Sequence, residues 1–75
     1  MITEWTMPAE AVYLSPRSVL TYEKDAEEPW RVRWATDGTL MDTHRSLAQV
    51  LWYEFPDGDV PDATIAALLA LRGAA

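Results

Sequence analysis

Hydrophobic and polar residues alternate most clearly over Arg17–Glu23 and Trp30–Ala35. In the first stretch, RSVLTYE, Leu20 and Tyr22 fall on one side and Val19 and Thr21 on the other. In the second, WRVRWA, Trp30, Val32 and Trp34 oppose Arg31 and Arg33. A period of two sends successive side chains to opposite faces of a strand, so both stretches predict β-strands. Pro29 stands where a strand can begin, and Lys24–Glu28 is a charged loop. Pairing Tyr22 with Trp30 and Leu20 with Val32 gathers the large apolar side chains of both strands on one face, whereas a one-residue slip scatters them. Trp30, Val32 and Trp34 are therefore expected inside and the arginines outside.

Asp37–Gly38 predicts a two-residue type I′ hairpin turn, which needs positive φ at both positions. A short third strand, Thr39–Met41, follows it. This turn sets Arg33 opposite Asp42, and the first hairpin sets Arg31 diagonal to Glu23, so each arginine has a carboxylate within cross-strand reach.

The period then changes. From about Thr43 to Phe55, Leu47, Val50, Leu51 and Phe55 share one helical face, with Ala48 and Trp52 along its edge. Asp42 or Thr43 is placed to cap this helix, and Ser46 with Gln49 resembles a capping box that marks a later start. A second helix is predicted over Pro61–Arg72, with Asp59 as cap, Pro61 in the first turn and Gly73 at its end. It carries Ile65, Leu68, Leu69 and Leu71, with Ala63, Ala66, Ala67 and Ala70 opposite. Before the strands, Pro8 followed by AEAVYL opens either a short helix capped by Thr6 or a short strand over Ala11–Leu14. Pro16 ends it. The expected fold class is α+β: a three-stranded antiparallel β-meander followed by two α-helices packed on one sheet face, with the N-terminal segment unassigned. The expected layout is one small domain, with an arm over 1–16, the meander over 17–42 and the helices over 43–72.

Composition narrows the function classes. A chain of 75 residues buries only about 60% of its unfolded surface. It has no cysteine, which excludes disulfides and thiolate zinc sites. With 12 Asp and Glu against 6 Lys and Arg the net charge is −6, which opposes nonspecific binding to nucleic acid or anionic membranes and favours a basic partner. No apolar run approaches a membrane span and no signal peptide is visible, so a cytoplasmic location is the expectation. Five arginines with one lysine and abundant alanine fit a GC-rich genome.

The chemistry-bearing motifs are weak. Asp42, His44 and Ser46 contain the residue types of a nucleophilic triad, but at a helix start they splay apart and no Gly-x-Ser-x-Gly elbow is present. His44 is then expected near the dry face at a helix N-terminus. DGDVPD (Asp57–Asp62) has calcium-like carboxylate spacing without the bidentate glutamate of a calcium loop, so it reads as a turn and a cap. One histidine and no cysteine leave no familiar transition-metal set, and no phosphate-binding glycine loop occurs. Catalytic, cofactor and metal sites are therefore expected to be absent.

Two features remain. Acidic residues cluster in one hairpin loop (Glu23, Asp25, Glu27, Glu28) and after the first helix (Glu54, Asp57, Asp59, Asp62), expected at opposite ends of the sheet. Surplus aromatic surface is offered by Trp52, Tyr53 and Trp5, and paired Trp and Tyr are characteristic of interface hot spots. The leading expectation is a small acidic, non-enzymatic protein-interaction module, of the kind phages and mobile elements use to modulate or inhibit a host complex. Its candidate surfaces are Trp52, Tyr53, Trp5, the acidic residues and the Ala63 and Ala67 face of the second helix, which is also a candidate homodimer contact. The alternatives are a nucleic-acid-associated regulator or DNA mimic, recognisable by a patch of Arg17, Arg31, Arg33 and Arg45 free of carboxylates, and a small enzyme around His44.

Overall fold

The computed structural model describes residues 5–74. It has an α+β fold in which four antiparallel strands precede two helices. The strands are β1 (Val12–Tyr13), β2 (Ser18–Tyr22), β3 (Trp30–Trp34) and β4 (Leu40–His44), in the spatial order β1-β2-β3-β4. The helices are α1 (Leu47–Glu54) and α2 (Asp62–Ala74).

The β2–β3 register is the one the alternation demands, with Tyr22 opposite Trp30 and Leu20 opposite Val32. The Tyr22 and Trp30 rings meet edge to face at 4.9 Å. Leu20, Trp30 and Val32 are buried with Val50 of α1 and Leu68 and Leu71 of α2, and these six side chains make the core.

Several expectations are corrected. The strand count is four, because Val12 and Tyr13 pair with Leu20 and Val19, so this part of the arm is strand and not helix. A turn around Pro16 closes that hairpin, with Leu14 N–H donating to the Ser18 carbonyl at 2.9 Å and the Ser15 and Ser18 hydroxyls bonded at 2.8 Å. The β3–β4 hairpin does not use a type I′ turn. Gly38 alone has positive φ (75°), and the loop spans Ala35–Gly38, closed by Gly38 N–H on the Trp34 carbonyl and Trp34 N–H on the Thr39 carbonyl. Arg33 consequently faces Leu40, and a bulge at Met41 shifts the pairing so that Val32 faces Asp42 and Trp30 faces His44.

The arginine pairings therefore do not form. Arg33 donates from Nη1 to the Gly38 carbonyl (2.9 Å) and from Nε to Thr21 Oγ1 (3.2 Å), beneath the Trp5 ring 5.7 Å away. Arg31, opposite Thr43, makes no ion pair with Glu23 among the described residues. Trp34 is on the helix side of β3 but 39% exposed, because the helices cover the other end of that face. Val19 and Thr21 are buried too, so β2 is covered on both faces, and Trp5 lies on the side away from the helices.

The later of the two helix starts is the real one. β4 runs through His44, and Ser46 caps α1 by accepting from Gln49 N–H (3.2 Å) while Gln49 Oε1 accepts from Arg45 N–H (2.7 Å). Gln49 thus reaches one residue further back than in a strict capping box. α2 begins at Asp62, with the Pro61 carbonyl accepting from Thr64 and Ile65 N–H, and it continues through Gly73. Leu69, expected inside, is exposed, since the core side of α2 centres on Leu68 and Leu71.

Candidate functional site

Two surface features are built by this arrangement. The first depends on how the helices sit. α1 leans on β4, whereas α2 leans on β1 and β2, and the space between them opens as a groove. Its volume is about 700 Å³, and Ala48, Leu51 and Trp52 of α1, Phe55, Val60 and Ile65 are among its walls. None of its lining residues carries a titratable group. Trp52 stands at the lip, 76% exposed. The helical spacing explains this: Val50 points into the core, and Trp52, two residues on, points away from it.

The second feature lies where β4 meets α1. The bulge at Met41 puts Asp42 and His44 on the helix side, opposite Val32 and Trp30. Glu54, at the end of α1, then reaches His44 with Oε2 2.9 Å from Nε2. Asp42 Oδ2 approaches the same nitrogen at 3.6 Å. A carboxylate only accepts, so Nε2 carries the hydrogen in the 2.9 Å contact. The Tyr53 ring stacks on the imidazole at 5.5 Å and 12°. His44 is 4% exposed and edges a polar hollow of about 250 Å³, shared with Glu28, Asp42, Gln49 and Tyr53.

The triad geometry is absent here. Ser46 Oγ is engaged in capping α1, and His44 lies at the end of a strand, not at a helix N-terminus. One member of each acidic cluster departs from the expected placement at opposite ends of the sheet. Glu28 accepts from Thr43 Oγ1 at 2.6 Å, so it and Glu54 flank the same end of β4.

The remaining predicted residues are dispersed. Glu23, Asp25, Glu27, Asp57 and Asp59 are exposed in loops. Glu27 and Glu28 face Arg45 at 3.2 and 3.7 Å, so that arginine lies among carboxylates. Trp5 is half-buried, packed on Gly38 and Arg33, and serves as an anchor for the arm. Ala63 is exposed and Ala67 half-buried. Sequence reasoning missed the convergence of Asp42, His44 and Glu54. The i, i+2 spacing of Asp42 and His44 was the available signal, but it speaks only once β4 is known to run through His44.

Among the described residues no helix is long and apolar enough to cross a membrane. Comparison of the chain with known family models, with curated proteins and with solved structures finds no match.

Proposed function

We propose that this protein is a non-enzymatic interaction module that receives a basic, amphipathic helical segment of a protein partner in the groove between α1 and α2. The observation that carries this reading is the groove itself, with the exposed Trp52 at its lip. Its volume suits a ligand, but its lining offers apolar contact and no acid, base or nucleophile, which favours binding over chemistry. An amphipathic helix lays apolar anchors at i, i+3, i+4 and i+7 into such a groove. Asp57, Asp59 and Asp62 are exposed in the segment leading from the groove into α2, and the net charge is −6. Lysine or arginine on the partner's flanks is the complement that steers such an encounter. Binding of this kind modulates a larger complex by occupying one of its sites.

The test uses designed helical peptides with leucine at that spacing and either lysine or glutamate elsewhere. Resonances of Trp52, Leu51, Val60 and Ile65 should shift saturably with the lysine peptide and weaken with salt. Trp52→Ala should lower affinity at least tenfold, as for an interface anchor. It should also change stability by less than about 0.5 kcal/mol, because the ring is mostly exposed. Unmoved groove resonances with both peptides would sink the reading. Equal binding of the glutamate peptide would remove the basic partner. Concentration-dependent dimerisation that buries Trp52 would make a second copy the occupant, and light scattering reads it directly.

A further inference from the structure

We infer that Asp42, His44 and Glu54 form a binding site for a divalent first-row transition metal of the Zn²⁺ type, a staple between β4 and the end of α1. Three donors from two elements converge there, and the groove plays no part. His44 Nε2 lies 2.9 Å from Glu54 Oε2 and 3.6 Å from Asp42 Oδ2, and all three atoms fall within 4.8 Å of one another. A triangle with those sides has a point no more than about 2.4 Å from every corner, against about 2.0–2.2 Å for zinc bound to nitrogen or carboxylate oxygen. Closing the difference takes a few tenths of an ångström. Asp42, 57% exposed and held only through Oδ1 by the Thr43 N–H at 2.8 Å, can supply it by a small turn of its carboxylate.

Hydrogen bonding alone does not use this arrangement. Nε2 holds one hydrogen, and Glu54 takes it, which leaves the Asp42 carboxylate beyond hydrogen-bond reach of the same atom. A cation engages both carboxylates and the nitrogen together. On binding, the metal takes the Nε2 lone pair, and the single imidazole hydrogen sits on Nδ1. Two carboxylates neutralise a divalent charge, and one imidazole nitrogen among the donors favours zinc-type metals over Mg²⁺ and Ca²⁺. The fixed partners fit as well. His44 is buried and held against the Tyr53 ring, so its nitrogen is already oriented, and the hollow beside it admits the ion and its remaining water ligands. A metal joining two elements is a usual way for a small domain with a thin core to gain stability.

The untagged chain contains one histidine, so its two ring C–H resonances report on this site alone. Titration with ZnCl₂ should move them to saturation at one equivalent, with micromolar affinity or better. At a hundredfold excess over Kd the melting midpoint should rise by about 10 °C or more. D42N and E54Q should each weaken binding at least tenfold with unchanged circular dichroism. The side-chain amide that E54Q introduces can still bond to the imidazole, so this variant separates ligation from hydrogen bonding. The exposed Asp42 carries the test should E54Q disturb α1. Ring resonances unmoved by millimolar Zn²⁺, or D42N binding zinc as the natural chain does, would overturn the site.

Discussion

Replacing Gly38 by alanine tests the packing of the N-terminal arm, and the protein supplies its own control. Gly38 and Gly58 have nearly the same positive φ, 75° and 70°. An L side chain in that region costs about 1 kcal/mol or somewhat more at either position. The surroundings differ. A Cβ at Gly58 meets open space, whereas one at Gly38 overlaps the Trp5 ring. Making room displaces the indole from Arg33, which gives up a cation–π contact of about 0.5–1 kcal/mol. If about 40 Å² of apolar contact is lost as well, another kcal/mol or so follows at about 25 cal/mol/Å². The expected losses are therefore about 3 kcal/mol for G38A and about 1 kcal/mol for G58A. In a domain of this size they correspond to midpoint shifts of roughly 12–24 °C and about 4–8 °C. Calorimetry or urea melts of the two variants read the difference. Removal of the ring in Trp5→Ala should bring the Gly38 penalty down to the Gly58 value, a coupling visible in a double-mutant cycle. Equal losses at the two glycines would refute the placement of Trp5 on the hairpin.

Two other predictions concern local hydrogen bonds. Ser46→Ala removes the cap of a helix only two turns long and should cost about 1 kcal/mol, with faster amide exchange concentrated in Leu47–Glu54; exchange unchanged there would show that packing of Val50 alone holds α1. Asp37 accepts from Thr39 N–H at 2.9 Å, and this bond holds its carboxyl below the usual aspartate value of 3.8. A folded-state pKa below the unfolded one stabilises the fold above the unfolded value and ceases to do so as pH falls through the folded one. Urea midpoints of the natural chain and D37N should therefore differ at neutral pH and converge as the solution is acidified below that range; a gap that stays constant to low pH would contradict the linkage.

The β2–β3 hairpin was legible because four large residues, Leu20, Tyr22, Trp30 and Val32, allow only one register. The β3–β4 hairpin was not, because Asp-Gly serves two loop lengths. The sequence signal for a type I′ turn is the same as that for a four-residue loop whose last residue is left-handed. That ambiguity turned the Arg33–Asp42 pairing into Arg33 opposite Leu40, a shift of two that leaves every side chain on its own face. The further shift of one at the Met41 bulge, which no turn residue marks, is what made His44 a core-facing strand residue. β1 was ambiguous for another reason, since two residues are too few to show a period. Trp34 satisfied the alternation, but alternation says which face a residue occupies and not how far a covering helix extends along it. The apolar groove was half visible in the rim position of Trp52. The separation of α1 from α2 that opens it is a matter of tertiary packing.

The bulge at Met41 also bears on how the sheet ends. β4 is an edge strand, paired only with β3 among the described strands, and Leu40 and Met41 beside the partly exposed Trp34 make it apolar enough to recruit a stray strand. A long, flat, hydrophobic edge is a template for aggregation. Here the inserted residue breaks the even spacing of outward N–H and C=O groups near the middle of the strand, and the exposed Asp42 follows it directly. At the opposite edge, β1 is two residues long and offers too little backbone to be extended. The irregularity that aims His44 toward α1 therefore also keeps neighbouring molecules from adding to the sheet, so straightening β4 by deleting Met41 should lower solubility before it lowers stability.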